Sequence, residues 1–264
     1  MGAAGTVAVV TGAARGFGRE IARRLVARGH QVVITDLDAS AVDAAAGELG
    51  ATGIVADARL AADHRRVAEA AQELGRVAVW VNNAGVLRAG KAWEHPDEDV
   101  DLMLDANLRG VVHGSRAAVE VMRGAGGHLL NVASMSAHGP VPGLAVYAAT
   151  KAGVLNFSTS LQGDLDLDGV PIRVHALCPD PADTAMVRSE RGHRDTAILF
   201  SQRSLLTPEA VADAALEMLA GRRLVRSVPG YRAALARTGA VLPRVGLGVL
   251  ARLRAQGERR RAGA

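Results

Sequence analysis

A doubly wound parallel α/β sheet in three layers, ending in a basic helical extension, is the fold this 264-residue sequence predicts. Three observations predict it. Short, almost wholly apolar runs alternate with helix-length stretches between residues 6 and 228. The first run leads into a glycine-rich turn that opens a helix. The charge is also divided: residues 222–264 hold eleven arginines against one acid, Glu258, a net of +10, whereas the first 221 residues hold 20 basic and 26 acidic residues, a net of −6. The expected organisation is one domain over residues 1–230 and an extension over 231–264.

The runs at residues 6–10, 31–35, 52–56, 77–81, 127–133 and 171–177 read as strands buried on both faces, as parallel strands are. Helical patterns lie between them at 16–29, 39–49, 61–74, 96–122 and 145–167, and another follows at 208–220. The final strand falls at 224–228. The polar, irregular segment 185–206, between a strand and a helix, reads as a mobile lid. Ligands of such a sheet bind at the carboxyl ends of its strands.

Composition narrows the function classes. The single cysteine, Cys178, excludes an intramolecular disulfide framework and a cysteine-based zinc cluster. The eight histidines show no metal-ligand spacing, so no metal is expected. Aromatic residues at 3% argue against a base-stacking nucleic-acid surface. No apolar run approaches the ~20 residues of a spanning helix. The opening residues lack a secretory leader pattern, which leads to the expectation of a cytoplasmic protein.

The turn Thr11-Gly12-Ala13-Ala14-Arg15-Gly16-Phe17-Gly18 lets the backbone approach a pyrophosphate, while the following helix offers free N–H groups and a favourable dipole. It lacks the Gly-Lys-Ser/Thr of a nucleoside-triphosphate loop. Asp36 closes the second strand, where a carboxylate binds both ribose hydroxyls and repels a 2′-phosphate. That favours NAD. Arg15, able to pair with such a phosphate, keeps NADP open.

Tyr147 and Lys151 stand four residues apart at a helix start and point the same way. A tyrosine is a weak base near neutrality, and an adjacent ammonium is expected to lower its pKa. Ser134 closes the fifth strand thirteen residues earlier, Asn82-Asn83-Ala84-Gly85 closes the fourth, and Asn107 lies in the helical stretch between them.

In this ordered set the sequence resembles the short-chain dehydrogenase/reductase family, over residues 6 to about 184. The resemblance implies a Rossmann-type fold. Tyr147 would be the general acid/base, Ser134 would hydrogen-bond the substrate oxygen, and Lys151 would bind the nicotinamide ribose. Asn107 would hold a relay water through its carbonyl. Asp57 and the backbone of Ala58 would face the adenine, Asn83, Ala84 and Gly85 would line the cofactor floor, and Pro179 and Thr184 would meet the carboxamide. The expected activity is NAD(P)-dependent hydride transfer to or from a secondary alcohol or ketone. A lipophilic substrate is expected from Leu87, Met135, Val141, Leu144 and Met186, with His138 as a further pocket candidate. Alternatives are an NADP-dependent 3-oxoacyl-carrier reductase and a non-catalytic nucleotide-sensing or scaffolding protein.

Two departures stand out. Asp180 occupies the place of the family's glycine after the sixth strand, a costlier choice if φ there is positive. The usual tetramer-building terminus is replaced by the arginine-rich extension, so a tetramer is in doubt and a homodimer through the helices at 96–122 and 145–167 is expected. In the extension, 231–238 and 243–253 read as short helices and residues from Gln256 as frayed. Leu235, Leu242, Val249 and Leu253 share one face if the helix is continuous. That face could pack on the enzyme or partner subunit, cap an apolar substrate or lie on a membrane surface.

Overall fold

The computed structural model of the chain describes residues 5–202 and 204–262. Seven parallel strands, β1 (Thr6–Thr11), β2 (Gln31–Asp36), β3 (Thr52–Val55), β4 (Arg76–Asn82), β5 (Gly127–Val132), β6 (Ile172–Pro179) and β7 (Val225–Val228), form one sheet in the order β3-β2-β1-β4-β5-β6-β7. The order reverses between β1 and β4, which places the ligand crevice there, beside the carboxyl end of β1.

Successive side chains of β1 enter different cores. Ala8 and Val10 pack with α1 (Gly16–Ala27), α2 (Ala39–Leu49) and α8 (Pro208–Leu219). Val7 and Val9 pack on the other face with α3 (Ala61–Leu74), α5 (Gly110–Met122) and the end of α6 (Ala145–Leu167). This two-sided burial is why the strands read as continuous apolar runs rather than as an alternation. Local signals set the helix ends. Asp38 and Thr207 cap α2 and α8 by accepting N–H groups of Ala41 and Ala210, and Gly50 ends α2 in the left-handed region, at φ 65°.

The helical pattern at 96–122 is not one helix. It divides into α4 (Asp97–Leu104), a π-helical turn over Asp105–Arg109, and α5. The segment at 185–206 is more ordered than its polarity implies: α7 (Ala185–Ser189) precedes a 3-10 stretch over Arg194–Phe200, in which Ala197, Ile198, Leu199 and Phe200 are buried.

The extension forms α9 (Gly230–Val241) and α10 (Pro243–Ala262). The expectation of fraying from Gln256 is corrected, because Gly257 is buried against the 3-10 stretch. The side chains of Arg260 and Arg261 and residues 263–264 lie outside the described residues, as do residues 1–4. No helix among the described residues is long and apolar enough to cross a membrane.

Candidate active site

The glycine turn at the end of β1 is built by close packing. Gly12 and Gly16 adopt φ of 61° and 58°. A Cβ on Gly12 would lie 2.7 Å from the Ala84 Cα, and one on Gly18 would lie 2.5 Å from both the Asn83 Nδ2 and the Gly12 carbonyl. Neither position has room for a side chain. The Thr11 hydroxyl accepts the backbone N–H groups of Asn83 and Ala84, both at 3.1 Å. The Asn83 amide in turn donates to the Thr11 and Gly12 carbonyls at 3.0 and 2.8 Å. Thr11, Gly18 and Asn83 thus hold the turn in shape.

Gly16 differs: nothing approaches its Cβ position closer than a methyl of Thr184 at 3.6 Å. Helix α1 starts there with no side-chain cap and no acid in its first turn. Its free N–H groups open onto a cavity of about 360 Å³ lined by Gly12, Arg15, Gly16 and Phe17. An uncapped helix start beside glycine backbone fits a dinucleotide pyrophosphate. Asp36 sits beside this turn, accepting the N–H of Ala14 at 3.2 Å. Arg15 is exposed; the Asp38 carboxyl is held below its usual range first by the Ser40 hydroxyl and then by the Ala41 N–H.

The same cavity gathers Asn83, Ala84, Gly85, Ser134, Tyr147, Lys151, Pro179 and Thr184. Ser134 follows β5, and its hydroxyl accepts the N–H of Ser136 at 3.2 Å. Tyr147 and Lys151 lie on one face of α6 and share the cavity lining with Ser134. Lys151 Nζ donates to the Val132 carbonyl at 2.9 Å and stands 5.8 Å from the Tyr147 ring centroid. Burial lowers the Lys151 pKa to about 8. The Tyr147 pKa is raised by burial, against a smaller lowering influence of Ser134. The lowering expected from an adjacent ammonium does not prevail here, because burial dominates.

Asn107 is fully buried in the π-helical turn. Its Oδ1 accepts the Val86 N–H at 2.7 Å, and its Nδ2 donates to the Val86 carbonyl at 2.9 Å and the Thr150 hydroxyl at 3.3 Å. The side chain therefore pins the loop after β4 to α6 beneath the cavity. Such π-turns occur often at functional sites.

His138 is placed differently from expectation, and several other candidates have partners that the sequence does not show. His138 neither lines this cavity nor faces solvent: it is buried, its Nε2 is 2.8 Å from the Ser227 hydroxyl, and burial lowers its pKa. Asp57 is engaged by Arg59, whose Nη2 lies 2.6 Å away, and is held below the usual carboxylate range by that partner. The Ala58 carbonyl lies 2.9 Å from the His64 Nε2. Asp36, Asp57 and Ala58 lie away from the lining of the main cavity. Asp180 is buried, and no non-glycine residue among those described has positive φ, so this substitution carries no left-handed strain.

Met135, Leu144 and Met186 line the cavity with Leu87 and Val141, as their positions predict. Sequence reasoning set Asp180 near the nicotinamide, where a carboxylate would favour the oxidised cofactor, and gave Arg232 no role; both line the cavity. The apolar face of the extension, Leu235, Leu242, Val249 and Leu253, lines it too. Periodicity marked that face without saying what it covers. No group of three or more potential metal ligands occurs among the described residues.

Comparison with known proteins agrees with this geometry. A family model described as short chain dehydrogenase matches residues 6–195. A probable oxidoreductase of Mycobacterium tuberculosis, EphD, is 36% identical over 272 aligned positions, covering 94% of this chain and 45% of its own length. The chain thus spans about half the length of that relative, and the match reaches into the extension. The 1-deoxy-11-beta-hydroxypentalenate dehydrogenase of Streptomyces avermitilis is 39% identical, covering 69% of this chain and 71% of that protein. A short chain dehydrogenase/reductase from Burkholderia phymatum, solved in complex with NAD, superposes with a TM-score of 0.83 at 28% identity, covering 90% of this chain and 93% of the other.

Proposed function

The chain belongs to the short-chain dehydrogenase family, and from that premise we propose that it interconverts a secondary alcohol and a ketone with a nicotinamide cofactor, on a lipophilic substrate. The observation that carries this reading is the convergence of Ser134, Tyr147 and Lys151 on one cavity that begins at the uncapped start of α1.

A bound nicotinamide dinucleotide supplies the hydride acceptor or donor. The turn over Thr11, Gly12, Arg15, Gly16, Phe17 and Gly18, with Asn83, Ala84 and Gly85, would hold its phosphates and floor, and Pro179 and Thr184 its amide end. Asp57 and Ala58 would serve the adenine after Arg59 yields. For ketone reduction, the Tyr147 hydroxyl donates its proton to the substrate oxygen while Ser134 hydrogen-bonds the same atom and orients it. For oxidation, Tyr147 must first lose its proton. Lys151, fixed by Val132, binds the ribose and supplies positive charge beside the phenolate. Asn107 fixes the floor on which these groups stand.

NAD is the preferred cofactor in this reading. Asp36 faces the turn with a carboxylate, which a 2′-phosphate would have to approach. The proposed organisation is a catalytic body over 1–230 with an extension over 231–264, and a homodimer through α4, α5 and α6 in the cytoplasm. The apolar face of the extension turned toward the cavity favours substrate capping over a membrane-surface role. It also weighs against an acidic carrier gripped by the arginines, while the intact proton-transfer set weighs against a purely nucleotide-sensing protein.

The test is a panel of secondary alcohols and ketones with both cofactors, read by nicotinamide absorbance. Turnover that Tyr147→Phe lowers at least a thousandfold supports the reading. A variant as active as the wild type overturns it.

A further inference from the structure

We infer that helices α9 and α10 are the specificity-determining wall of the substrate site, clasped over the reaction centre by Arg232 and Arg254. This wall selects an uncharged alcohol or ketone with an extended apolar body. The inference rests on the hydride-transfer reading and adds to it the element that chooses the substrate.

The first clasp lies beside the proposed reaction centre. Asp180, at the position where the related pattern has glycine, is 3% exposed. Arg232 of α9 places its Nε 2.8 Å from an Asp180 carboxylate oxygen and donates from Nη2 to the Ser201 hydroxyl at 3.3 Å. The Gln202 amide also donates to Asp180. Three segments meet there: the turn after β6, the end of the lid and the start of the extension. Packing reinforces it, since a Cβ on Gly139 would lie 2.8 Å from the Ala236 carbonyl.

The second clasp lies further out. Arg254 of α10 places Nη2 2.7 Å from a carboxylate oxygen of Asp195 in the 3-10 stretch. One turn on, a Cβ on Gly257 would lie 1.8 Å from the Ala197 carbonyl, so helix backbone rests directly on the lid. Leu250 and Leu253 complete the contact by packing with Leu87, Leu144, Ile198 and Leu199.

Between the clasps the wall is alkyl: Leu235, Leu242, Val245 and Val249 face the cavity. Among the described arginines of the extension, Arg232 alone lines the cavity, and its charge is matched by Asp180. An ionic substrate group would find no unmatched charge on this wall and would meet a desolvation cost. Leu242 and Val245 are 59% and 63% exposed, which marks the mouth at the turn between α9 and α10. The apolar body of the substrate runs from Ser134 and Tyr147 to that mouth, covering alkyl surface as it goes. Each methylene it buries raises affinity about fourfold.

The test uses the full chain and straight-chain 2-alkanols from 2-butanol to 2-dodecanol. Wild-type kcat/KM is expected to climb steeply with chain length. Leu242→Asp and Val249→Asp are each expected to lower the 2-dodecanol to 2-butanol ratio at least tenfold. Arg232→Met is expected to lower that ratio through KM, and Arg232→Lys to restore part of it. A purely structural role would depress both alcohols together and leave the ratio fixed. Calorimetric binding of 2-dodecanone to the same proteins is measured in parallel. Turnover of 2-butanol without a chain-length gain overturns the wall and leaves the dehydrogenase reading standing. Binding of 2-dodecanone that Leu242→Asp weakens, with no turnover of any alcohol, upholds the wall and overturns the hydride reading. Neither binding nor turnover overturns both.

Discussion

Lys151 spends one hydrogen bond of its ammonium on the backbone carbonyl of Val132, at 2.9 Å, and so couples α6 to the carboxyl end of β5. The strand that delivers Ser134 to the cavity is also the strand that fixes the lysine. Replacing Lys151 removes a charge and leaves a buried carbonyl unpaired, at a cost of about 1–3 kcal/mol. Lys151→Met is expected to lower kcat/KM at least a hundredfold and to reduce the denaturation midpoint. Lys151→Ala with added alkylamine is the control: recovery of rate would assign the loss to the missing ammonium rather than to the fold.

The titration directions make the two reaction directions unequal. Tyr147 is raised above its ordinary value by burial and is therefore protonated at neutral pH, ready to donate. Ketone reduction should vary little with pH below the ordinary tyrosine range, whereas oxidation should climb with pH because the required phenolate grows about tenfold per unit below its pKa. Lys151 adds a stability effect. Its folded pKa of about 8 lies below the ordinary 10.5, so between those values the unfolded chain binds more protons. The lysine's contribution to stability therefore rises with pH across pH 8–10.5. Initial rates in both directions across pH 6–10 test the first point. An oxidation rate that falls over pH 7–9 would contradict it.

Asn107 carries a different kind of weight. All three of its bonds are to Val86 and Thr150, none to the cavity, so its side chain acts by fixing a loop. Asn107→Ala should cost about 2–4 kcal/mol of stability, from lost bonds and a buried N–H and carbonyl left without partners. Asn107→Asp should be worse than Ala at pH 7, because it buries a charge where Val86 and Thr150 offer two acceptors. Chemical denaturation of the three proteins checks the order.

Cofactor choice is tested at Asp36. Removing its carboxylate, as in Asp36→Ala, frees space and charge for a 2′-phosphate and leaves Arg15 to meet it. The ratio of NAD to NADP kcat/KM is expected to fall by ten- to a hundredfold. A ratio that stays constant would remove Asp36 from cofactor selection.

The strands were legible because both faces are buried, which writes an apolar run directly into the sequence; Val7-Ala8-Val9-Val10 is the clearest case. Tyr147, Lys151, Ser134 and the glycine turn were legible because their spacing is local. The break at Asp105–Arg109 was not, since no glycine or proline lies within it and the fixing bonds run to Val86 and Thr150, far along the chain. His138 was misplaced because its partner, Ser227, lies 89 residues away. The purpose of the extension was hidden for the same reason: the stripe of Leu235, Leu242 and Val249 is periodic, but its opposing surface comes from the lid and the segment after Ser134.

Gly257 offers a separate handle on that surface. A side chain there would collide with the Ala197 carbonyl, so Gly257→Val must lift the end of α10 from the lid. The cost should appear locally, as faster amide exchange in Arg194–Phe200 and α10, with the protection of β1 and β4 unchanged. Uniform loss of protection throughout the sheet would show instead that the extension is part of the global core.

Asp180 shows what the clasp requires of the fold. Burial pushes its pKa up to about 6 even though Arg232 pulls it down. The ordinary value is 3.8, so the folded chain binds more protons than the unfolded one between these pH values. Stability from the neutral carboxyl is fully present below pH 4 and is lost as pH rises through 6, by about 3 kcal/mol. At neutral pH the carboxylate is nevertheless ionised and paired, so the chain accepts that loss while holding α9 over the site. Asp180→Asn removes the titration. The stability difference between wild type and Asp180→Asn should therefore move against the wild type between pH 4 and 7, while the preference for long substrates moves in its favour as the ion pair forms. Thermal melts and the 2-dodecanol to 2-butanol ratio, measured on both proteins at the same pH values, test the two opposing trends. A pH-independent difference in stability would place Asp180 in water rather than in the clasp.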